Sequence, residues 1–219
     1  MKVILTGASG FIGGAVLQRL ITLSNVTSII VLSRRELPIE NPKLKTIVVK
    51  DFLNYEQQVL DQLAGAEACI WVLGSATSGK DVHQDMTFAA TKAFSESILP
   101  TLQKGMQFRF VYTSGALVVR DQSASTWFMS GPRKLRGKIE TRIVNLESEY
   151  APSWKSYVVR PALVTDGEPM MRLLLSGHYI PKQELAATMA DLAVNGGSQQ
   201  TLDNIDLRQR SRAVIEEET

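Results

Sequence analysis

The sequence predicts an α/β fold: a doubly wound parallel sheet with helices on both faces, stacked as three layers. Two observations carry that prediction. Short β-branched, apolar runs alternate with amphipathic helical stretches along nearly the whole chain. A glycine cluster separates the first such run from the first helix. At 219 residues and 44% apolar content there is material for one full core, whereas two independent domains would be cramped. Residues 1–219 are therefore expected to form a single domain.

Val3, Ile4 and Leu5 form a short apolar run beside the glycines, which reads as a buried parallel strand. From Phe11 to Leu23 the residues Phe11, Ile12, Ala15, Val16, Leu20 and Leu23 recur at helical spacing. Strand, glycine turn and helix together make a phosphate-binding arrangement. Gly7 permits a tight turn, Gly10 lets backbone approach a pyrophosphate, and Gly13 allows close packing of helix on strand. The helix N-terminus faces the anion with free N–H groups and the positive end of its dipole. Gly7, Ala8, Ser9, Gly10, Phe11 and Ile12 are thus expected to contact a dinucleotide.

Ser28 to Leu32 make a second strand, ending at Ser33-Arg34-Arg35. An acidic residue about 20 positions past the glycines would bind the ribose 2′-hydroxyl of NAD. Arg34 and Arg35 stand there instead, and guanidinium forks suit a 2′-phosphate. NADP(H) is therefore expected over NAD(H), the alternative being a pair of solvated loop arginines. Pro38, Asn41 and Pro42 mark a loop before a third strand, Leu44 to Val49, which ends at Lys50-Asp51-Phe52. Asp51 is placed to cap a helix near Tyr55 to Leu63.

Ala68 to Leu73 form a fourth strand, followed by the small residues Gly74 to Gly79. That strand end lies at the ligand rim of a doubly wound sheet, which puts Leu73, Gly74 and Ser75 beside the cofactor. Val82, Met86, Ala89, Ala90, Ala93, Phe94 and Ile98 line one side of a long helix, with Pro100 near its end. Phe108 to Tyr112 make a fifth strand running into Thr113-Ser114-Gly115. A loop through Trp127, Phe128 and Met129 either walls an apolar pocket or anchors on the core, and a helix follows from about Pro132 to Glu149. Tyr157 to Val164 are a sixth strand with its exit. A last strand is expected over Gln200 to Leu207, then a charged C-terminal helix that frays.

A net charge of +2 gives no electrostatic case for nucleic acid or membrane as partners. The basic clusters Arg133, Lys134, Arg136, Lys138 and Arg208, Arg210, Arg212 read as solvated helix faces. The single cysteine, Cys69, reads as a small core residue, so no disulfide framework and no metal site are expected. With a strand from residue 2 and no apolar run near the ~20 residues needed to span a bilayer, a cytoplasmic protein is expected.

Thr6-Gly7-x-x-Gly10-x-x-Gly13 resembles the short-chain dehydrogenase/reductase superfamily, in its extended and atypical branches. The resemblance covers nearly the whole chain and implies a Rossmann-type NAD(P)-binding fold. It implies that Asp51 accepts from the adenine amine while Phe52 packs on the ring. Arg160-Pro161-Ala162-Leu163-Val164 resembles the segment whose backbone meets the nicotinamide, and Ile180 to Ala186 resembles the family's late segment. Within the superfamily the chain is most similar to the atypical, Tat-interacting oxidoreductase-like group. The marks are Leu32-Ser33-Arg34-Arg35, Leu73-Gly74 and Arg136-Gly137-Lys138-Ile139-Glu140. Residues about 165–182 would cover the substrate side, and their shortness predicts a small or open pocket. In relatives the helices matching Val82–Leu99 and Pro132–Tyr150 pair in a dimer, so a homodimer is a possible assembly.

The catalytic pattern departs from that family. Ordinary members carry a serine and a Tyr-x-x-x-Lys, and no Tyr-x-x-x-Lys exists in this sequence. Anchored on Arg136-Gly137-Lys138-Ile139-Glu140, the lysine position falls on Arg136 and the tyrosine position on Pro132, with the serine on Ser114 or Gly115. Proline has no proton to donate; arginine can hold a ribose or phosphate but is too basic to shuttle protons. Ser114 and Thr113 remain to polarise a carbonyl, or else bond backbone. His83 has a pKa suited to acid–base work, with Lys80, Asp81 and Asp85 around it; the alternative is a helix start capped by Asp81. His178, Tyr179, Asp166 and Glu168 lie near the covering segment, with solvated-loop roles as the alternative. Ser114, His83 and Arg136 are the catalytic candidates. The expected function is an NADP(H)-dependent reductase of a small molecule. A non-redox isomerase or cyclase on the same scaffold, or an NADPH-sensing regulator, are the alternatives.

Overall fold

The computed structural model describes residues 1–73, 80–125, 130–170 and 177–217, the side chains of 80–82 excepted. Its elements, in chain order, begin with β1 (Lys2–Thr6), α1 (Phe11–Thr22), β2 (Ser28–Ser33), β3 (Leu44–Val48), α2 (Gln57–Leu63), β4 (Ala68–Trp71) and α3 (Lys80–Ser97). They continue with β5 (Phe108–Thr113), α4 (Ser130–Glu149), β6 (Trp154–Arg160), β7 (Leu163–Thr165), β8 (Tyr179–Pro181), α5 (Lys182–Val194), β9 (Thr201–Asp203) and α6 (Asn204–Glu216). Seven parallel strands form one sheet in the order β3-β2-β1-β4-β5-β6-β9, and β7 pairs with β8 separately. The strand order reverses between β1 and β4, the place where doubly wound sheets hold ligands.

Each face of the sheet carries a core. On one side Val16, Leu17, Leu20, Leu185, Met189, Leu192 and Leu207 bring α1, α5 and α6 onto the strands. On the other, Leu60, Leu63, Phe94, Ile98, Ile139, Ile143 and Leu146 do the same for α2, α3 and α4. Aromatic rings run through this second core, Phe52 against Trp71, Trp71 against Phe110, and Phe110 against Trp154. Each such fully buried large side chain contributes about 1.5–3 kcal/mol relative to exposure. Cys69 is fully buried on β4, where burial pushes its thiol well up. No helix of the described residues is long and apolar enough to cross a membrane.

Several boundaries differ from the sequence reading, each for a local reason. β4 stops at Trp71, and Val72 N–H turns to Thr6 Oγ1 at 3.0 Å. Asp51 does not cap α2, whose N-cap is Glu56; its carboxylate closes a local turn on Leu53 N–H (2.9 Å) and Asn54 Nδ2 (2.7 Å). α3 begins at Lys80, so Asp81 is inside the helix rather than its cap. The chain near Pro100 forms a separate 3-10 turn over Leu99–Thr101. α4 begins at Ser130, and Pro132 is accommodated in its first turn, where N–H groups have no intrahelical partner anyway.

The sixth strand starts earlier, at Trp154, and breaks at Pro161, which has no N–H to continue the ladder, so Leu163–Thr165 pair with β8 instead. The last strand is only Thr201–Asp203, because a capping box between Asp203 and Asp206 starts α6 at Asn204. α6 is docked through most of its length. Arg208 pairs with Glu184 (3.0 Å) and Arg210 with Asp191 (2.6 Å), so these arginines are not a solvated face.

Candidate functional site

The glycine turn is shaped by contacts that exclude a side chain. Gly7 has φ +71°, and a Cβ there would stand 2.7 Å from the Val72 carbonyl oxygen. A Cβ on Gly13 would fall 2.0 Å from the Gly7 oxygen, so α1 can lie this close to the turn only with glycine at 13. Gly10 donates its N–H to Gly7 O at 2.9 Å and serves as N-cap of α1 without a side-chain cap. Ser9, Gly10 and Phe11 are exposed, Ile12 is half-buried and Ala8 sits in the core. No acidic residue occupies the first turn of α1. The result is an exposed helix N-terminus whose N–H groups and dipole lack a side-chain cap or acidic partner among the described residues, which fits a diphosphate.

β2 runs alongside β1 with Leu32 level with Thr6, so Arg34 and Arg35 follow directly beside the turn. Both are exposed, and among the described residues neither guanidinium makes a hydrogen bond or ion pair. Asp51 is exposed at the end of β3, its two oxygens accepting the local bonds given above. Phe52 corrects an expectation. Its ring is 1% exposed and packs edge-on against Tyr55 and Trp71, so it is core and has no face left for a base. Leu73 packs against the second core. Gly74 and Ser75, like the expected wall Trp127, Phe128 and Met129, lie outside the described residues.

At the carboxyl ends of β5 and β6 a charge network dominates. Glu140, on α4, is 0% exposed. Its carboxylate accepts Ser114 Oγ at 2.6 Å, Arg120 Nε at 2.7 Å, and Arg160 through Nε at 2.9 Å and through Nη2. Arg120 continues to Thr201 Oγ1 at 2.8 Å, and Arg160 faces Asp203 at 3.7 Å. The hydrogen bond to Glu140 raises the Arg160 pKa further above its ordinary value. Removing one member of such a buried set is costly, because the remaining charge is left uncompensated.

The segment after Ser114 lies along the start of α4 like a strap. Val119 N–H donates to Arg133 O, Arg133 Nε to Leu117 O at 2.5 Å, and Lys134 Nζ to Gln122 O at 2.7 Å. A Cβ on Gly137 would fall 1.9 Å from Val119 O, so this approach requires glycine. Arg133 and Lys134 are therefore tied to backbone rather than solvated.

The remaining candidates disperse. Ser114 is turned to Glu140, and its own N–H donates to Val159 O. Thr113, last residue of β5, is half-buried. His83 sits in the first turn of α3, its carbonyl accepting from Thr87 Oγ1 at 2.8 Å. Arg136 is exposed on α4 beside Gly115. Pro161 is buried, Ala162 N–H donates to Asn204 Oδ1 at 2.9 Å, Leu163 N–H donates to His178 O at 3.1 Å and is itself exposed, and Val164 is half-buried. Asp166 pairs with Lys182 at 2.7 Å, and that ammonium lies 4.8 Å from the Phe11 ring centroid. Tyr179 is buried, donates to Glu168, and is covered by the Arg208 guanidinium at 4.5 Å. Tyr179 is thus buried and partnered, while Asp166 and Glu168 are paired but remain exposed to solvent.

Sequence reasoning missed the roles of Glu140, Arg120 and Asn204. Glu140 stood in view four residues after Arg136, one helical turn along, but nothing local announces a buried charge.

The turn, the strand reversal and the parallel sheet define a nucleotide-binding α/β protein of the Rossmann type. Residues 4–146 match the 3-beta hydroxysteroid dehydrogenase/isomerase family, and the chain belongs to it. A protein of Purpureocillium lilacinum described as leucinostatins biosynthesis cluster protein T is 26% identical, the match spanning 90% of this chain and 86% of that protein. Among solved structures, a short-chain dehydrogenase/reductase from Saccharomyces cerevisiae superimposes with a TM-score of 0.69 at 19% identity, covering 99% of both chains. The dTDP-glucose 4,6-dehydratase of Bacillus anthracis, solved in complex with NAD, gives a TM-score of 0.65 at 10% identity, over 99% of this chain and 81% of that one. At those identities the two structures show a shared fold. The short-chain dehydrogenase/reductase resemblance read from the sequence is borne out by the family and the fold.

Proposed function

We propose that this protein binds NADP(H) and reduces a small organic substrate without a tyrosine–lysine pair. The observation that carries the reading is the adjacency of two features. An exposed helix N-terminus behind obligatory glycines lies beside two arginines without described partners. The first suits a diphosphate, the second a 2′-phosphate. The glycine turn holds the dinucleotide at Gly7 to Ile12, Arg34 and Arg35 grip the extra phosphate, and Asp51 stays available at the adenine end through its exposed carboxylate. When bound, the nicotinamide supplies the hydride.

This chain's residues then position the substrate over the ends of β4, β5 and β6, with the β7–β8 pair on that side; of the expected covering segment 165–182, residues 171–176 lie outside the described residues. Pro132 has no proton to give, and Ser114 is held by Glu140. The proton reaches the product from water at the open crevice. A double-bond or imine reduction needs less from a tyrosine than a ketone reduction does, which favours such substrates.

The test is mutational. Replacing Arg34 and Arg35 with Ala should weaken NADPH far more than NADH, and equal losses would reject the 2′-phosphate assignment. Loss of NADPH absorbance with a substrate panel separates a reductase from an isomerase, a cyclase or a sensor.

A further inference from the structure

We infer that Arg136 anchors an anionic group of the substrate, and that the substrate carries a carboxylate. This rests on the proposed reading of the crevice as the meeting place of cofactor and substrate. The early turns of α4 carry Arg133, Lys134, Arg136 and Lys138. Arg133 and Lys134 are occupied with carbonyls of the strap, and Lys138 is exposed. Arg136 is different. Its Nη1 stands 3.2 Å from where a Cβ on Gly115 would be, and among the described residues its guanidinium has no hydrogen bond or ion pair.

The neighbouring carboxylates do not neutralise it. Glu140 is filled by Arg120, Arg160 and Ser114, and Asp203 faces Arg160. Two guanidinium groups thus balance two carboxylates, and among the described residues Arg136 is left as an unpaired guanidinium beside them. It lies against Gly115, two residues beyond Thr113 at the carboxyl end of β5, on the rim where open parallel sheets bind ligands. Glycine at 115 leaves bare backbone in front of the fork; a larger residue there would press on the guanidinium. A planar fork of donors, held at a rim and lacking an internal partner, matches a planar oxyanion bidentately. Arg120 and Arg160, which serve the fold, are by contrast paired with Glu140.

The test titrates the NADP+-loaded protein by calorimetry with aliphatic and aromatic α,β-unsaturated acids and their matching amides. The acids should bind about tenfold or more tightly than the amides, as expected of a charge-assisted pair. Arg136→Gln should remove that preference, and Arg136→Lys should keep part of it, since a point charge replaces the fork. Equal binding of acids and amides, or binding of neither, would overturn the inference. So would an Arg136→Gln variant that loses NADP+ affinity and keeps the acid preference, because the guanidinium would then belong to the cofactor. If NADP+ itself does not bind, the proposed function fails, and the same titration of the free protein still reads Arg136 separately.

Discussion

Ser114 donates a 2.6 Å hydrogen bond to Glu140, a carboxylate with no exposure to solvent. The hydroxyl at the end of β5 is thereby tied to the set that holds β5, α4, β6 and β9 together, with Arg120 and Arg160 completing it. Truncating Glu140 leaves two guanidinium groups facing each other over a cavity. Glu140→Ala should cost about 3–5 kcal/mol of stability in denaturant unfolding. A loss below about 1 kcal/mol, the scale of an exposed pair, would contradict the role given to it.

Ser114→Ala removes one donor to a carboxylate that keeps both arginines. Its stability loss should fall in the range of a single charged hydrogen bond, about 1.5–3 kcal/mol. NADPH affinity should be unchanged, as measured by calorimetry, because the glycine turn and Arg34–Arg35 are untouched.

Two glycine substitutions separate required contact from tolerance. Gly137→Ala places a methyl 1.9 Å from Val119 O, while Gly14→Ala meets Ala8 O at an ordinary 3.5 Å. The first should destabilise by about 1–3 kcal/mol or push the strap off α4. The second should be neutral or slightly stabilising, since alanine favours the helix by about 1 kcal/mol. Thermal unfolding of both variants checks the contrast.

The layer order and the first turn were legible because each has a local signature. The period of apolar residues marks strands and helices, and Gly7 and Gly13 announce a turn that a side chain would block. What stayed hidden depends on distant partners. Arg208 and Arg210 look like a solvated helix face until α5 brings Glu184 and Asp191 against them. Phe52 follows Asp51 in a pattern that resembles an adenine contact, yet Trp71 and Tyr55 draw its ring inward. Glu140 reads as one more charge on a charged helix, and only the convergence of β5, β6 and the strap makes it a hub.

Glu147 gives a pH prediction. Burial pushes its carboxyl up, but hydrogen bonds from Lys155, Gln200 and the Ser156 N–H outweigh this and hold it below the ordinary 4.5. A depressed folded value contributes stability above the unfolded pKa and loses it as pH falls through the folded one. The melting-temperature difference between wild type and Glu147→Gln should be flat from neutrality to about pH 5, then shrink on further acidification. A difference that grows in acid would reverse the sign and refute the assignment.

Calorimetric titration of the wild-type protein with NADPH and with NADH tests the central claim most directly. The account predicts saturable binding of both, with NADPH tighter by about tenfold or more, the worth of the added charged contacts at Arg34 and Arg35. No heat with either nucleotide, or equal affinity for the two, would contradict it.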